Sequence, residues 1–530
     1  MHARPAALLL GLTLATTLPA QELLYRLDGL AAGDEYGAAL ALLGDLDGDG
    51  VPEILAGGRK HTLNGLDSGM VRVTSGADGS EIFTLYGLAP REGFGIAVDG
   101  LGDVDGDGLD DFAVGVVGEM SNGFQSGAVR VFSGADAHRI REHQGEAGFW
   151  FLGISVACAG DVDADGVPDL LAGAYRAPVA GPDTGLARVW SGADGSLLHE
   201  VQGATAFDLF GQAVSDCGDL NGDGHGEFAA AAPFHDGGAP DGGQVQVFDG
   251  ATGSVLYTWL GTDPGGNFGY AVETVGDADG DGVPDLAVGA NRDSRDGFQT
   301  GRVFLYSGAT GLLLWERAGG GLDERLGESV SAAGDLDGDG LADLVAGGPE
   351  SDRAASRAGL VRLLSGLDGA ELGSLDGPGA EDLYGTWVAG GADLDGDGRP
   401  DLAVGAPWED FPGPQAGSVY VHRLVLDGPR LLDPVPGTAG TLNSFPVEGA
   451  TPGAPVDYAW SLAAGTSPGP CPGLSWDLSA ARPGGNATAD AAGRAVLTAT
   501  VPAAAAGRAL LLQAADLLAC RPTPVLAWTF

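Results

Sequence analysis

The nine residues Asp277-Ala278-Asp279-Gly280-Asp281-Gly282-Val283-Pro284-Asp285 fit the string D-x-[DN]-x-D-G-x-x-[DE]. The string occurs seven times, with its first aspartate at Asp45, Asp103, Asp161, Asp219, Asp277, Asp335 and Asp393. Every interval is 58 residues, without insertion or deletion. Eight residues before each first aspartate stands a glycine, from Gly37 and Gly95 through to Gly385. An aromatic precedes that glycine in five copies, as at Phe94, Phe210 and Phe268, and Leu152 and Leu326 take its place in the other two. A run of small apolar residues follows each string, as in Leu286-Ala287-Val288-Gly289-Ala290. A Gly-x-Val-x-Val-x-Ser-Gly stretch or a close variant comes next, beginning at Gly69 in the first copy and Gly417 in the last. A strict period of this length marks supersecondary units that stack or repeat radially.

One period holds four strand-length runs, which in the fifth copy are 269–274, 286–290, 301–307 and 312–317. They alternate in polarity and are bounded by Gly, Asp, Asn and Ser, the usual punctuation of strands. Four strands in each of seven units predict an all-β chain folded as a seven-bladed β-propeller. A β-solenoid would need shorter periods and parallel stacking. Residues 22–29 resemble a fourth strand such as 79–87, and no eighth copy follows Val421. The first strand in sequence is therefore expected to complete the last blade, closing the ring and removing an exposed edge. The propeller is assigned to 22–424.

The repeated string also supplies a set of oxygen ligands. The candidates are Asp45, Asp47, Asp49 and Glu53 in the first loop, and Asp103, Asp105, Asp107 and Asp111 in the second. The third offers Asp161, Asp163, Asp165 and Asp169, and the fourth Asp219, Asn221, Asp223 and Glu227. The fifth offers Asp277, Asp279, Asp281 and Asp285. The sixth has Asp335, Asp337, Asp339 and Asp343, and the seventh Asp393, Asp395, Asp397 and Asp401. Acids at positions 1, 3 and 5, a glycine for the sharp turn, and a further acid folding back follow the logic of the first half of an EF-hand loop. Without a cation such groups repel one another. We therefore expect up to seven Ca2+ ions. The fourth loop, with Asn221 in place of an aspartate, is expected to be the weakest, and Ala164 replaces a glycine in the third. Extracellular calcium modules bind at roughly 10⁻⁴–10⁻³ M, which at about 1 mM calcium is worth roughly 0.4–1.4 kcal/mol per site. Summed over the loops, that is comparable with the net stability of a domain. The expected role of calcium is structural.

The 530 residues include 73 acidic and 26 basic side chains, for a net charge of −47, and Lys60 is the only lysine. That balance excludes a nucleic-acid partner, which needs clustered cations. Glycine, at 94 residues, is abundant but lacks the collagen period, and 44% hydrophobic content argues against disorder. At the start, His2 and Arg4 precede an apolar run from Ala6 to Leu18, followed by Pro19-Ala20-Gln21. This is the plan of a secretory signal, so 1–20 are expected to be removed, leaving a mature charge of −48. The run is too short for a membrane span, and none is expected in the mature chain.

These residues resemble the FG-GAP repeats of integrin α-subunits and their bacterial relatives. The resemblance runs through Phe94-Gly95, Asp103-Val104-Asp105-Gly106-Asp107-Gly108 and Ala403-Val404-Gly405-Ala406-Pro407, and it recurs over most of the chain. It implies a seven-bladed propeller with calcium loops between first and second strands on one face. It further implies that protein or glycan ligands are met on the opposite face, by loops such as 291–300 and 407–416. Trp408 and Phe411 in the second of these read first as packing against their own blade and second as contacts. The unbroken spacing leaves no room for an inserted ligand-binding domain. All seven blades carry the calcium string, where integrin α-subunits carry it in only some. The Ala, Gly, Arg and Pro bias suggests a bacterial source.

After Val425 the register is lost. A Pro/Gly-rich linker is expected over 425–437, and a small β-sandwich-like domain over 438–530. In an exported chain Cys471 and Cys520 are read as a disulfide, whereas Cys158 and Cys217 are read as buried free thiols. No catalytic constellation stands out. Gly465-Thr466-Ser467-Pro468-Gly469 fits the nucleophile-elbow string but sits in a Gly/Pro run that reads as a turn. His61 and His235 share a repeat position and read as surface residues rather than zinc ligands. The function expected is a secreted, envelope or periplasmic binding or adhesion module for a protein or glycan. A propeller-based polysaccharide-degrading enzyme and a self-assembling matrix protein are the alternatives.

Overall fold

The structure is a computed structural model. It describes residues 22–424 and, beyond them, the backbone of short strand segments between 430 and 529. Residues 22–424 form seven four-stranded antiparallel sheets. In the fifth, Phe268–Gly276, Asp285–Ala290, Arg302–Tyr306 and Leu313–Ala318 pair in sequence order, with Val288 opposite Val272 on one side and Phe304 on the other. The seventh sheet takes three strands from Trp387–Ala392, Asp401–Ala406 and Ser418–Arg423. Its fourth is Glu22–Asp28, which pairs through Leu27 opposite Val419. The fold is the seven-bladed β-propeller expected from the repeat.

Neighbouring blades are joined by one repeated backbone contact. The glycine before each third strand bridges to the aromatic or leucine that opens the next blade, as in Gly69 to Phe94 and Gly243 to Phe268. Gly417 bridges to Tyr36 in the same way, so the seventh blade meets the first as every other pair meets. Side chains are excluded there. Gly69 has φ +86°, and a Cβ would lie 2.1 Å from the carbonyl oxygen of Phe94. Close approach of this kind, repeated around the ring, accounts for much of the glycine content.

The core lies between blades. Phe268, 2% exposed, packs with Ala229, Ala231, Val245 and Val247 of the fourth blade and with Val288 and Phe304 of its own. All the second strands are buried end to end, which explains their Ala, Val and Gly composition. The first strands of all seven blades line an axial cavity of about 370 Å3.

In the tail, Leu442–Glu448 pairs with Ala495–Thr500, and Pro455–Ser461 runs between Arg482–Thr488 and Ala509–Asp516. The sandwich packing expected for 438–530 and the Cys471–Cys520 pairing lie outside the described residues. Among the described residues Cys158 and Cys217 are free thiols. No helix there is long and apolar enough to cross a membrane.

Candidate metal-binding loops and the axial funnel

Each acidic string forms the turn between first and second strands, so all seven loops lie at one end of the propeller. In the second loop the Asp103 carboxylate accepts backbone N–H bonds from Gly106 (2.6 Å), Asp107 (3.1 Å) and Gly108 (2.9 Å). Asp105 accepts from Asp107, and Asp107 from Leu109. The closing acid, Asp111, is fully buried and accepts from Val104 at 2.8 Å and Gly134 at 3.1 Å. The other loops repeat this scheme. The first-position aspartate takes the N–H five residues on in every one, from Asp45 and Gly50 to Asp393 and Gly398. The closing acids Glu53, Asp169, Glu227, Asp285, Asp343 and Asp401 are likewise fully buried.

This wiring pins the carboxylates close together. Ligand oxygens of Asp45, Asp47 and Glu53 lie within 4.8 Å of one another, and so do those of Asp103, Asp105 and Asp111, of Asp161, Asp163 and Asp169, of Asp219, Asp223 and Glu227, and of Asp277, Asp279 and Asp285. At least five of the predicted loops therefore bring together groups that could hold a metal ion, four of them through first, third and closing positions and the fourth loop through Asp219, Asp223 and Glu227. The donor set is all oxygen, as a hard cation requires. Among the described residues, two buried closing oxygens, Glu53 Oε1 and Asp401 Oδ1, have no hydrogen-bond partner. Burial, with repulsion from Asp47 and Asp45, pushes Glu53 up to about 7. Asp401 rises to about 7 for the same reasons, with Asp395, Asp397 and Asp393 as the repelling groups. These residues fit a divalent cation, which would satisfy the orphaned oxygens and relieve the repulsion.

The opposite end is built differently. There the axial cavity opens into a second space of about 330 Å3, and the two share Ile154, Gln212, Tyr270, Glu328 and Trp387. Arg59, Arg325, Glu350 and Trp408 come from loops around this mouth. The Arg357 guanidinium, from the neighbouring blade, lies 5.0 Å from the ring centre of Trp408. Phe411 is 55% exposed, beneath Arg26 of its own blade. Exposed aromatics also stand at blade junctions, among them Phe124, Phe149, Phe207 and Phe298.

Two features escape a motif reading. Asp99, Asp216 and Glu273 stand on the first strands of three different blades, and burial, followed by repulsion from Asp216, raises Asp99 to about 7 and also raises Glu273. The repeat register holds the signal, because Asp99 and Glu273 occupy the place of Ala41, Ala157, Ser215, Ser331 and Ala389. His61 and His235 are not free surface groups. Their Nδ1 atoms lie 3.0 Å from Asp34 and 2.8 Å from Asp208, themselves equivalent repeat positions.

Seven blades about an axis, each with an acidic turn between its first two strands, define a propeller with a cation-ready face and a funnelled face. Four of the units match an FG-GAP repeat: the model described as "FG-GAP repeat" covers 210–248, 268–306, 326–364 and 384–422. The chain is similar to integrin alpha-V of Gallus gallus, with 32% identity over 213 residues, 37% of this chain and 20% of the relative. Integrin alpha-5 of Xenopus laevis is 31% identical over 37% of this chain, and integrin alpha-IIb of Homo sapiens 34% over 37%. The match spans about a fifth of the length of these relatives.

Proposed function

We propose that the protein is an exported FG-GAP propeller, braced by calcium, that binds a protein or glycan outside the cell or at its envelope through the face opposite the acidic loops. One observation carries this reading: every acidic turn is at one end, while the axial funnel and its tryptophans open at the other. Amphipathic aromatics beside polar groups are the side chains that dominate recognition surfaces. The cation-ready face stiffens the ring, and the loops of the other face are then held in fixed relation for docking. The similarity to integrin α-subunits and the leader-like 1–20 support an extracellular setting. The test is binding of the full mature chain to arrays of extracellular proteins and glycans in calcium, alongside Trp387→Ala and Trp408→Ala. The reading expects a saturable partner weakened by at least one substitution. A partner bound equally by both variants, or no partner, would count against it.

A further inference from the structure

The residue thirty places after each loop's first aspartate ends the third strand or follows it, next to the loop. It is serine at 75, 133, 191, 307 and 365. Ser75 Oγ lies 3.4 Å from Asp49, and Ser133 Oγ 3.4 Å from Asp107. Two blades depart. In the fourth the residue is Asp249, whose carboxylate is 3.4 Å from Asn221 Nδ2, so a carboxylate stands beside the loop that lost one. In the seventh it is Arg423. Its guanidinium binds Asp395 through both Nε and Nη2, with Nε at 2.5 Å, and its Nε is 3.5 Å from Asp397.

Resting on the calcium reading of the loops, we propose that Arg423 is a built-in cation that holds the seventh loop closed against calcium, so that this loop, and not the fourth, is the weakest of the seven. Asp395 and Asp397 are third- and fifth-position candidates, and a guanidinium hydrogen-bonded to the first and ion-paired with the second competes with a metal for the same oxygens. Its charge also repels an ion a few ångströms away, which weakens binding on the order of tenfold or more. A second difference accompanies it. In five of the other six blades the closing acid accepts from the glycine that starts the turn into the fourth strand, as Asp285 does from Gly308 at 3.0 Å and Asp343 from Gly366 at 3.0 Å. In the seventh blade Leu424 stands at this place, and among the described residues Asp401 Oδ1 has no partner. The oxygen set of the loop is complete but occupied from within.

Calcium titration of metal-free full-length protein, with ions counted by native mass spectrometry, tests this directly. The wild type should show six comparable sites and a seventh weaker by about tenfold or more. Arg423→Ser, and Arg423→Gln as a milder change, should bring the seventh into line with the rest. Circular dichroism should show both variants folded. Seven equivalent sites in the wild type, or a seventh site unmoved in both variants, would overturn the role of Arg423 while leaving calcium binding intact. Binding of no calcium by any variant would overturn both.

Discussion

Arg362 grips Glu324 through two parallel bonds, Nε to Oε1 at 2.8 Å and Nη2 to Oε2 at 3.0 Å, with both side chains buried. Glu324 sits in the connector between the fifth and sixth blades, where it also accepts from the backbone of Gly320 and Gly321. Arg362 is on the third strand of the sixth blade. The pair pins the connector to the blade it leads into. Arg130 and Glu92 repeat the device at the second blade, 2.5 Å apart, with Glu92 bonding the connector at Ala89.

Removing one member of such a pair strands a buried charge. Arg362→Met should lower stability by about 3–5 kcal/mol, with partial recovery in the Arg362→Met/Glu324→Gln double variant, measured by urea unfolding. Equal losses in the single and double variants would mean that packing, not charge, carries the effect.

Ala164 has φ +59°, where the equivalent Gly48, Gly106, Gly222 and Gly396 have φ between +74° and +84°. A left-handed alanine is strained relative to glycine, although glycine also loosens the unfolded chain. Ala164→Gly should therefore gain about 0.5–1 kcal/mol in thermal unfolding. A loss would show that the third loop does not need this turn.

Among the described residues, Asp281, at the fifth position of the fifth loop, accepts a single hydrogen bond, the backbone N–H of Val283. If its main partner is calcium, Asp281→Ala should lower the melting temperature in calcium and change it little in chelator. Equal losses in both conditions would count against metal binding at that loop.

Burial pushes Asp99 up to about 7 and Asp216 up to about 6, and it raises Glu273 as well. Cys158 and Cys217 face the same cluster, with thiols pushed higher still, so neither ionises in this range. The folded chain holds these carboxyl protons more tightly than the unfolded chain does. The resulting stability is present in acid and is lost as pH rises through about 6–7. In saturating calcium, the wild type should lose stability between about pH 5 and 8 relative to Asp99→Asn/Glu273→Gln, by on the order of 1 kcal/mol or more. Parallel pH profiles would contradict this placement.

The fold was legible because the period is strict: the positions of Phe268, Asp285 and Gly301 recur in fixed register, and the place of Gly301 bridges to the place of Phe268 in the next blade in every copy. Conversely, side chains that break the register were easy to pass over. Asp99 and Glu273 sit in a strand read only for its apolar pattern. Arg423 matters because of the loop it reaches rather than its own place in a motif. Glu324 and Arg362 are 38 residues apart, and only the folding of the connector onto the third strand brings them together. The carboxylates of the seven strings could be named from spacing alone, but which oxygens remain unpaired, at Glu53 and Asp401, depends on the packed blade around them.

Calcium on one face is proposed to brace the whole ring. Hydrogen–deuterium exchange of the full chain, with calcium and with chelator, tests it most directly. The account predicts slower exchange in calcium at the loop amides, such as those of Gly106, Asp107 and Gly108, and in the second strands behind them, with the smallest change in the seventh loop. Identical exchange in the two conditions at all seven loops would contradict it.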